Sequence, residues 1–202
     1  MSKIEAVIFD AGGVLHESNT AMADDLFQEL GITDEILIQI RAKQMLLLGS
    51  GAIDEAEFWR QVATEYDLRE VTTVENLLGR AFIEAIVEHT PITELIKELG
   101  ATSVKLAVLS NTIRPHASAL KEAGIYDGFD HVLLSHEVGM LKPDPAIYQH
   151  ALEVLDVRPE ATIFIDDDPK NVEVAEALGI HGIVYKDTDN VVNEVRSLVF
   201  ND

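Results

Sequence analysis

Four apolar segments of strand length occur along this chain, and polar residues follow each of them. Continuous runs of Ala, Val, Ile, Leu and Phe are typical of strands that are covered on both faces, as in a parallel sheet. Because the carboxyl ends of parallel strands share one edge of the sheet, we expect these polar residues to converge there. The segments and the polar residues after them are 6–9 with Asp10, 106–109 with Ser110 and Asn111, 132–134 with Lys142 at a distance, and 163–165 with Asp166, Asp167 and Asp168.

Strand-like and helical segments alternate from Thr90 to the end of the chain. Strands that alternate with helices imply right-handed βαβ units and a parallel sheet. We therefore predict an α/β fold with a doubly wound, Rossmann-like parallel sheet as its core. The predicted strands are 4–9, 104–109, 131–134, 162–165 and 182–185, and the predicted helices of this part are 93–99, 114–123, 145–155, 169–178 and 190–199.

The segment between the first strand and this alternating part has helical periodicity and no strand pattern. Asp34 and Asp54 are of a residue type that often caps helices. We therefore predict an inserted α-helical cap domain over 17–90 and a core made of 1–16 and 91–202. The predicted cap helices are 23–30, ended by Gly31, then 34 to 47 or 48, broken by Gly49-Ser50-Gly51, then a helix opened by Asp54, and 74–87.

The composition excludes several classes of function. The net charge of −21 over 202 residues argues against a nucleic-acid partner, because non-specific binding to nucleic acid needs a basic surface. No apolar run approaches the length of a membrane span, so we expect no membrane partner. The absence of cysteine excludes disulfides and thiol catalysis. Together with first residues that lack a signal-peptide pattern, this absence favours a cytoplasmic location.

The predicted edge of the sheet collects carboxylates that suit phosphoryl chemistry. Asp10 with Asp166 or Asp167 supplies hard oxygen ligands, which suit Mg²⁺ better than a soft metal. Carboxylates that lie close together repel each other unless a cation or a proton lies between them. An aspartate can itself be the nucleophile and form an aspartyl-phosphate. The carboxylates alone therefore allow both a metal site and a nucleophile.

The remaining polar residues at this edge suit phosphate binding. Lys142 offers a positive charge, and Ser110 and Asn111 offer hydrogen-bond donors. Each also has an ordinary structural explanation, because Ser110-Asn111 could cap the next helix and Lys142-Pro143 could be a solvated turn. Asp168 fits best as a helix cap. The ordered set of all these residues is more specific than any one of them.

Four short motifs occur in order along nearly the whole chain. They are Phe9-Asp10-Ala11-Gly12-Gly13-Val14-Leu15, then Leu109-Ser110-Asn111, then Lys142-Pro143, and finally Ile165-Asp166-Asp167 with Asn171. In order and in strand placement they resemble the motifs of the haloacid dehalogenase superfamily, whose members are mainly phosphatases. The inserted segment resembles the small α-helical cap of one large subfamily.

The resemblance implies roles for these residues. Asp10 would be the nucleophile of a phosphatase. Mg²⁺ would be held by Asp10, the backbone carbonyl of Gly12 and Asp167, with help from Asp166. Ser110, Asn111 and Lys142 would hold the phosphoryl group.

Position 12 departs from the pattern of most phosphatases of this family, which carry a second aspartate there as general acid and base. Gly12 has no side chain to move a proton, and such help is worth about 10²–10⁴ in rate. The loss matters most for poor leaving groups. Because glucose-1-phosphatase-like members also lack this aspartate, the resemblance implies a small phosphorylated metabolite such as a sugar phosphate.

Two rival interpretations follow from the same position. A non-catalytic regulatory protein would bind phosphate and metal but lack turnover because of Gly12. A 2-haloacid dehalogenase would also lack the second aspartate, and Ala11 resembles the residue of the dehalogenases. Their usual aromatic residue at position 12 and serine-rich fourth motif are both absent here, which favours the phosphatase. The oligomeric state cannot be inferred from the sequence.

A few residues near the predicted cap have open roles. His16 and Glu17 lie where the chain enters the cap, and position alone makes them candidates to replace the missing acid, although an ordinary hinge or surface role is favoured. The segment Gly49-Ser50-Gly51 is a candidate for a loop that closes over the site. The cap core is expected to include Met45, Phe58 and Trp59.

Overall fold

The computed structural model describes residues 3–18, 27–68, 77–83, 86–88 and 90–200. Five of its strands form one sheet in which every neighbouring pair is parallel. In chain order the strands are β1 (Ala6–Phe9), β2 (His16–Ser18), β3 (Ile86–Glu88), β4 (Lys105–Ser110), β5 (His131–Leu134), β6 (Thr162–Asp166) and β7 (His181–Val184). The sheet order is β5-β4-β1-β6-β7, so β1 lies at the centre.

Both faces of this sheet are covered, which explains why its strands are apolar without alternation. Along β1, Val7 and Phe9 belong to the apolar cluster on one face, and Ala6 and Ile8 belong to the cluster on the other. A strand that is buried on both faces has no position for a polar side chain until it ends. The predicted α/β fold with a doubly wound parallel sheet is confirmed.

Helices cover both faces of the sheet, and further helices lie in the chain between β1 and β4. Asp144 and Asp168 cap two of them, since their side chains accept hydrogen bonds from backbone N–H groups at 2.9 Å in each case. Within the described ranges, no helix is long and apolar enough to cross a bilayer. In chain order the helices are α1 (Asp34–Ala42), α2 (Gln44–Gly49), α3 (Glu55–Tyr66), α4 (Leu77–Ile83), α5 (Thr90–Gly100), α6 (Arg114–Glu122), α7 (Ser135–Val138), α8 (Pro145–Leu155), α9 (Pro169–Ala177) and α10 (Thr188–Phe200).

Helices α1 to α4, called the cap helices below, share an apolar cluster that is separate from the clusters on the sheet. Phe58 and Trp59 are buried inside it, and Met45 packs against it, as expected for the core of a cap. Ile113 is also part of this cluster, although it belongs to the loop after β4. The cap helices therefore pack directly against a loop of the sheet domain.

Two details of the predicted cap were wrong. The single helix predicted from residue 34 to 47 or 48 is interrupted at Lys43, whose backbone is not helical. The residue that caps α1 is Thr33, whose hydroxyl accepts a hydrogen bond from the Ile36 N–H, and Asp34 lies in the first turn. Both Thr and Asp are capping residues, so their types alone do not select one of two neighbours.

A small antiparallel pair, β2 with β3, also differs from the prediction. Ser18 lies opposite Ile86 and His16 opposite Glu88, so the segment 17–90 does contain strand, and 74–87 is not helical to its end. The two strands are far apart in sequence, so neither carries the local turn signal of a hairpin. The predicted helical parts 19–26, 69–76, 84–85 and 89 lie outside the described residues, and the domain limits stay a prediction.

Candidate active site

The end of β1 places Asp10 at the middle of the carboxyl edge of the sheet. Its N–H donates to the carbonyl of Ile165 on β6 at 2.8 Å, which continues the strand pairing into the turn. Its carboxylate Oδ1 accepts a hydrogen bond from the Ala11 N–H at 2.7 Å and lies 2.8 Å from the ammonium nitrogen of Lys142. The carboxylate is therefore fixed by one backbone group and one buried cation.

The two glycines after Asp10 face different surroundings. Gly13 has a φ of 73°, and a Cβ atom there would lie 2.5 Å from a carboxylate oxygen of Asp167. A side chain at Gly12 would instead meet open space. The turn therefore requires glycine at position 13, both for its backbone angle and for the close approach of Asp167, but not at position 12.

Lys142 joins the ends of two neighbouring strands. Its ammonium nitrogen lies 2.8 Å from Asp10 Oδ1 and 2.6 Å from Asp166 Oδ2. Asp166 is fully buried and also accepts hydrogen bonds from the Asn171 side chain, at 3.0 Å to each oxygen, and from the Asp168 N–H at 2.8 Å. Two carboxylates therefore share one ammonium group at this edge, which leaves the set short of positive charge.

A third carboxylate completes an acidic cluster. Asp10, Asp166 and Asp167 each offer an oxygen atom, and these three atoms lie within 4.8 Å of one another. Asp166 is surrounded by protein donors, whereas Asp167 is exposed. Hard oxygen ligands at such spacing suit a divalent cation such as Mg²⁺. As predicted, these aspartates converge at the carboxyl edge of the sheet.

The electrostatics of the cluster also fit a cation. Burial raises the pKa of Asp10 to about 6, while Lys142 lowers it and Asp166 raises it further. Burial, followed by the charge of Asp166, raises the pKa of Asp167. Burial opposes the charge on Lys142, but the two neighbouring carboxylates raise the pKa of its ammonium group on balance. Carboxylates that resist ionisation are stabilised in the charged form when a cation binds between them.

Ser110 is the last residue of β4 and Asn111 follows it, next to the turn that carries Asp10. Ser110 is buried, and the Asn111 side chain makes two hydrogen bonds of 2.8 Å with the backbone N–H and carbonyl of Lys142. The next helix, α6, has Ile113 as its N-cap residue and no side-chain cap, so these two residues do not serve as its cap. Asn111 holds Lys142 in place, and its contact with phosphate stays a prediction.

Two supporting contacts near the site were not predicted from the sequence. The hydroxyl of Tyr148 donates to the backbone carbonyl of Asn171 at 3.0 Å, beneath the residue that clamps Asp166. The hydroxyl of Ser135 bonds to the loop after Asn111. Single buried hydroxyl residues carry no sequence signal, because their partners are set by the tertiary packing.

His16 lies in the hinge strand β2 and is buried. Its ring meets Phe82 of the cap helices edge-on at 5.7 Å, and Phe82 stacks on His116 of α6 at 4.0 Å. The backbone carbonyl of His16 accepts a hydrogen bond from the Gly13 N–H. Glu17 is exposed on the same strand. The ring of His16 therefore packs at the seam between cap and sheet, and a role for either residue as an acid stays a prediction.

The order of the motifs and the geometry they build agree with a comparison against known families. The profile of the haloacid dehalogenase-like hydrolases matches residues 4–179. This chain belongs to that family.

Other proteins similar to this haloacid dehalogenase-like hydrolase differ in the activity they carry. Sesquiterpene phosphatase astK from Aspergillus oryzae is 28% identical over 197 residues, which are 96% of this chain and 96% of the relative. (S)-2-haloacid dehalogenase 1 from Pseudomonas sp. is 28% identical over 91% of this chain and 85% of its own. A family enzyme from Bacteroides thetaiotaomicron, crystallised with magnesium and inorganic phosphate, has a TM-score of 0.78 and 26% identity, covering 91% of this chain and 94% of that one.

Proposed function

We propose that this hydrolase is a Mg²⁺-dependent phosphatase that acts on a small phosphorylated metabolite in the cytoplasm. The observation that carries the proposal is the cluster of Asp10, Asp166 and Asp167, with a single ammonium group shared by two of its members. Three carboxylates face one ammonium group, and a divalent cation would supply the positive charge that is still missing. The similarity to a phosphatase over nearly the whole chain supports the same activity.

In this proposal Mg²⁺ is held by Asp10, Asp167 and the backbone carbonyl of Gly12. Asp166 stands behind them, because Lys142 and Asn171 already occupy its oxygens. When bound, Mg²⁺ supplies the charge that offsets the phosphate and aligns it for attack. The magnesium and phosphate bound to the Bacteroides thetaiotaomicron enzyme support this choice of ion.

Asp10 is the proposed nucleophile. Because the Ala11 N–H and Lys142 hold its Oδ1, its Oδ2 is the oxygen that attacks the phosphorus atom. A bond forms from Oδ2 to phosphorus, while the bond to the leaving oxygen breaks with its electron pair. Water then attacks the phosphorus of the aspartyl-phosphate, which releases inorganic phosphate and restores the carboxylate. The phosphoryl oxygens would be held by Ser110, Asn111 and Lys142.

The substrate class follows from the missing acid at Gly12. A leaving oxygen that departs without a proton must itself be a stable anion, and a sugar 1-phosphate provides a better leaving group than a simple alkyl phosphate. The turn has room for a side chain at position 12, so the glycine is not imposed by packing. We therefore propose phosphate esters with good leaving groups, such as sugar 1-phosphates, as substrates.

A second candidate activity is the dehalogenation of a 2-haloacid. The similarity to (S)-2-haloacid dehalogenase 1 favours it, and a halide needs no acid to leave. The acidic cluster argues against dehalogenation. Attack on carbon with loss of a halide needs one carboxylate as the nucleophile and does not need three that converge. A non-catalytic protein that binds metal and phosphate is the third alternative.

One experiment separates these activities. Release of phosphate from an activated aryl phosphate and from a panel of sugar phosphates is measured with Mg²⁺ and with a chelator, using Asp10→Asn as control. Metal-dependent release that the variant loses supports the phosphatase. Halide release from 2-haloacids without metal would establish the dehalogenase instead. Binding of Mg²⁺ and phosphate with no turnover of any substrate would favour the binding protein.

A further inference from the structure

The buried hydroxyl of Ser135 connects the cap helices with the loop that follows β4. Ser135 begins the short helix α7 and has no exposed surface. Its Oγ accepts a hydrogen bond from the Thr112 N–H at 2.9 Å and lies 2.6 Å from the carbonyl oxygen of Gly49, to which it donates. One side chain thus bonds to the end of α2 and to the residue directly after Asn111.

The loop that Ser135 holds touches the cap a second time. Ile113, the next residue after Thr112, is 4% exposed and belongs to the apolar cluster of the cap helices. The same loop begins with Ser110 and Asn111, which the proposed function assigns to phosphate. A displacement of the cap helices would therefore act on the loop 110–113 in two ways, through the apolar contacts of Ile113 and through the hydrogen bonds of Ser135.

Ser135 has two carbonyl acceptors for its one proton. The carbonyl oxygen of Gly49 lies at 2.6 Å, and the carbonyl oxygen of Thr112 lies at 3.0 Å. When the cap is docked, the shorter bond to Gly49 is favoured. When the cap moves away, the hydroxyl can turn to Thr112, so no buried donor is left without a partner. The hydroxyl can therefore exchange its acceptor at a small free-energy cost.

The neighbouring backbone fits this contact closely. Gly51 has a φ of 70°, and a Cβ atom there would overlap the carbonyl oxygen of His136, the residue after Ser135. The segment Gly49-Ser50-Gly51 therefore lies directly against α7, with glycine required where the backbones meet. A sequence that looks like a simple break between helices is the surface by which the cap docks.

We propose that Ser135 is a positioning residue that couples docking of the segment 49–51 to phosphate binding by the loop 110–113. The inference rests on the proposed function, because it assigns this loop to phosphate. When phosphate orders the loop, the Thr112 N–H and Ser135 Oγ are held in line, and the hydroxyl proton is aimed at the carbonyl of Gly49. Cap docking and phosphate binding then favour each other.

The coupling is tested first on the unchanged protein by hydrogen exchange. Exchange of the amides in 46–53 and of the Thr112 amide is followed without ligand, with Mg²⁺ alone, and with Mg²⁺ and inorganic phosphate. We expect phosphate to slow exchange in both segments beyond the effect of Mg²⁺. If phosphate binds by calorimetry and leaves the segment 46–53 unchanged, the coupling is contradicted and the proposed function stands. If no phosphate binds with Mg²⁺ present, both are contradicted.

A pair of matched variants tests the role of the hydroxyl. Ser135→Ala removes it, and Thr162→Val removes another fully buried hydroxyl, which donates to the Arg158 carbonyl at the far end of β6. Loss of the hydrogen bonds to the Thr112 N–H and the Gly49 carbonyl predicts that Ser135→Ala weakens inhibition by inorganic phosphate about two- to tenfold, with the affinity for Mg²⁺ unchanged. A general loss of stability would affect both variants alike, and equal phosphate affinities in the two would overturn the proposal.

A third variant covers the case in which Ser135→Ala does not fold. Gly51→Ala keeps the hydroxyl but forces the segment 49–51 away from α7. We expect weaker phosphate inhibition and faster exchange of the Thr112 amide, although Gly51 lies outside the loop that is assigned to phosphate. Unchanged phosphate affinity, together with faster exchange in 46–53, would show that the cap can leave without affecting the loop and would refute the coupling.

Discussion

The carboxyl edge of the sheet and the seam between cap and sheet use polar groups in opposite ways. At the edge, Asp10, Asp166 and Lys142 are buried, and the ammonium group of Lys142 forms an ion pair with each of the two carboxylates. At the seam, the contacts are the neutral hydroxyl of Ser135 and stacked rings such as Phe82 on His116. Breaking a buried charged network leaves uncompensated charge, whereas a neutral hydroxyl can change its acceptor.

The difference teaches which part of the molecule is rigid and which part is free to move. Fixed charges hold the carboxylate of Asp10, the proposed nucleophile, within hydrogen-bond distance of its neighbours, as chemistry at one atom requires. Neutral and apolar contacts at the seam let the cap dock and leave without exposing a charge. Substitutions at the edge should therefore affect turnover and stability strongly, and substitutions at the seam should act weakly.

The largest expected effect comes from Asp10→Asn. Removal of the proposed nucleophile should lower phosphate release by about four orders of magnitude or more, because an amide replaces the carboxylate that attacks phosphorus. The measurement is phosphate release at saturating Mg²⁺, with circular dichroism to verify folding. Asp168→Asn is the matched control, since Asp168 caps α9 and should change turnover only a few-fold. Equal losses in both variants would mean that charge alone matters at this edge.

Gly12→Asp should raise activity on poor leaving groups. A Cβ atom at position 12 meets open space, so a side chain can be added there without rebuilding the turn. General acid catalysis predicts a gain approaching about 10²–10⁴ on alkyl phosphates and a much smaller one on aryl phosphates. The ratio of kcat/KM for the two substrates measures it. A uniform gain on both substrates would speak for improved metal binding instead.

Lys142→Met should destabilise the fold more than any seam variant. It leaves Asp10 and Asp166 buried without their shared cation, which predicts a free energy of unfolding lower by about 3–5 kcal/mol. Added Mg²⁺ should restore part of this loss, because a cation again lies among the carboxylates. Denaturant unfolding with and without Mg²⁺ measures both effects. Lys105→Met, which loses a bond to a backbone carbonyl, is the control, and it should not respond to Mg²⁺.

The smallest expected effect concerns His116 at the seam. Burial lowers the pKa of His116 to about 4, so the unfolded chain binds more protons than the folded one between pH 4 and its ordinary value near 6.5. Stability from the neutral ring is present above pH 6.5 and is lost as the pH falls to 4, by no more than about 3 kcal/mol. His116→Gln should flatten this part of the stability curve. His150→Gln is the control, and an unchanged slope in His116→Gln would refute the assignment.

The fold and the acidic edge could be predicted because their signals are local. The strands β1, β4 and β6 each contain a continuous apolar run, and these runs end where Asp10, Ser110 and Asp166 begin. Parallel topology then forces these ends together, whatever the loops between them do. The cap core could be predicted for the same reason, since Phe58 and Trp59 lie four and three residues before Val62 on α3, which is helical spacing.

What the sequence did not reveal depends on contacts between distant segments. The pairing of β2 with β3 and the bonds of Ser135 join residues whose neighbours in sequence give no hint of a partner. The bonds of the Asn111 side chain to the backbone of Lys142 were missed for a similar reason, because Lys142 lies far along the chain. Contacts between residues that are distant in sequence depend on the fold of the whole chain, so local sequence patterns do not predict them.

The pair formed by β2 and β3 has a consequence for how such enzymes diversify. Paired strands lie about 4.8 Å apart, so the chain departs from the sheet domain and returns to it at nearly the same point. A segment whose ends lie this close can be replaced by another segment, because its length and sequence do not alter the order of the five parallel strands. Grafting a different set of helices between Ser18 and Ile86 would give the same reaction centre a new lid.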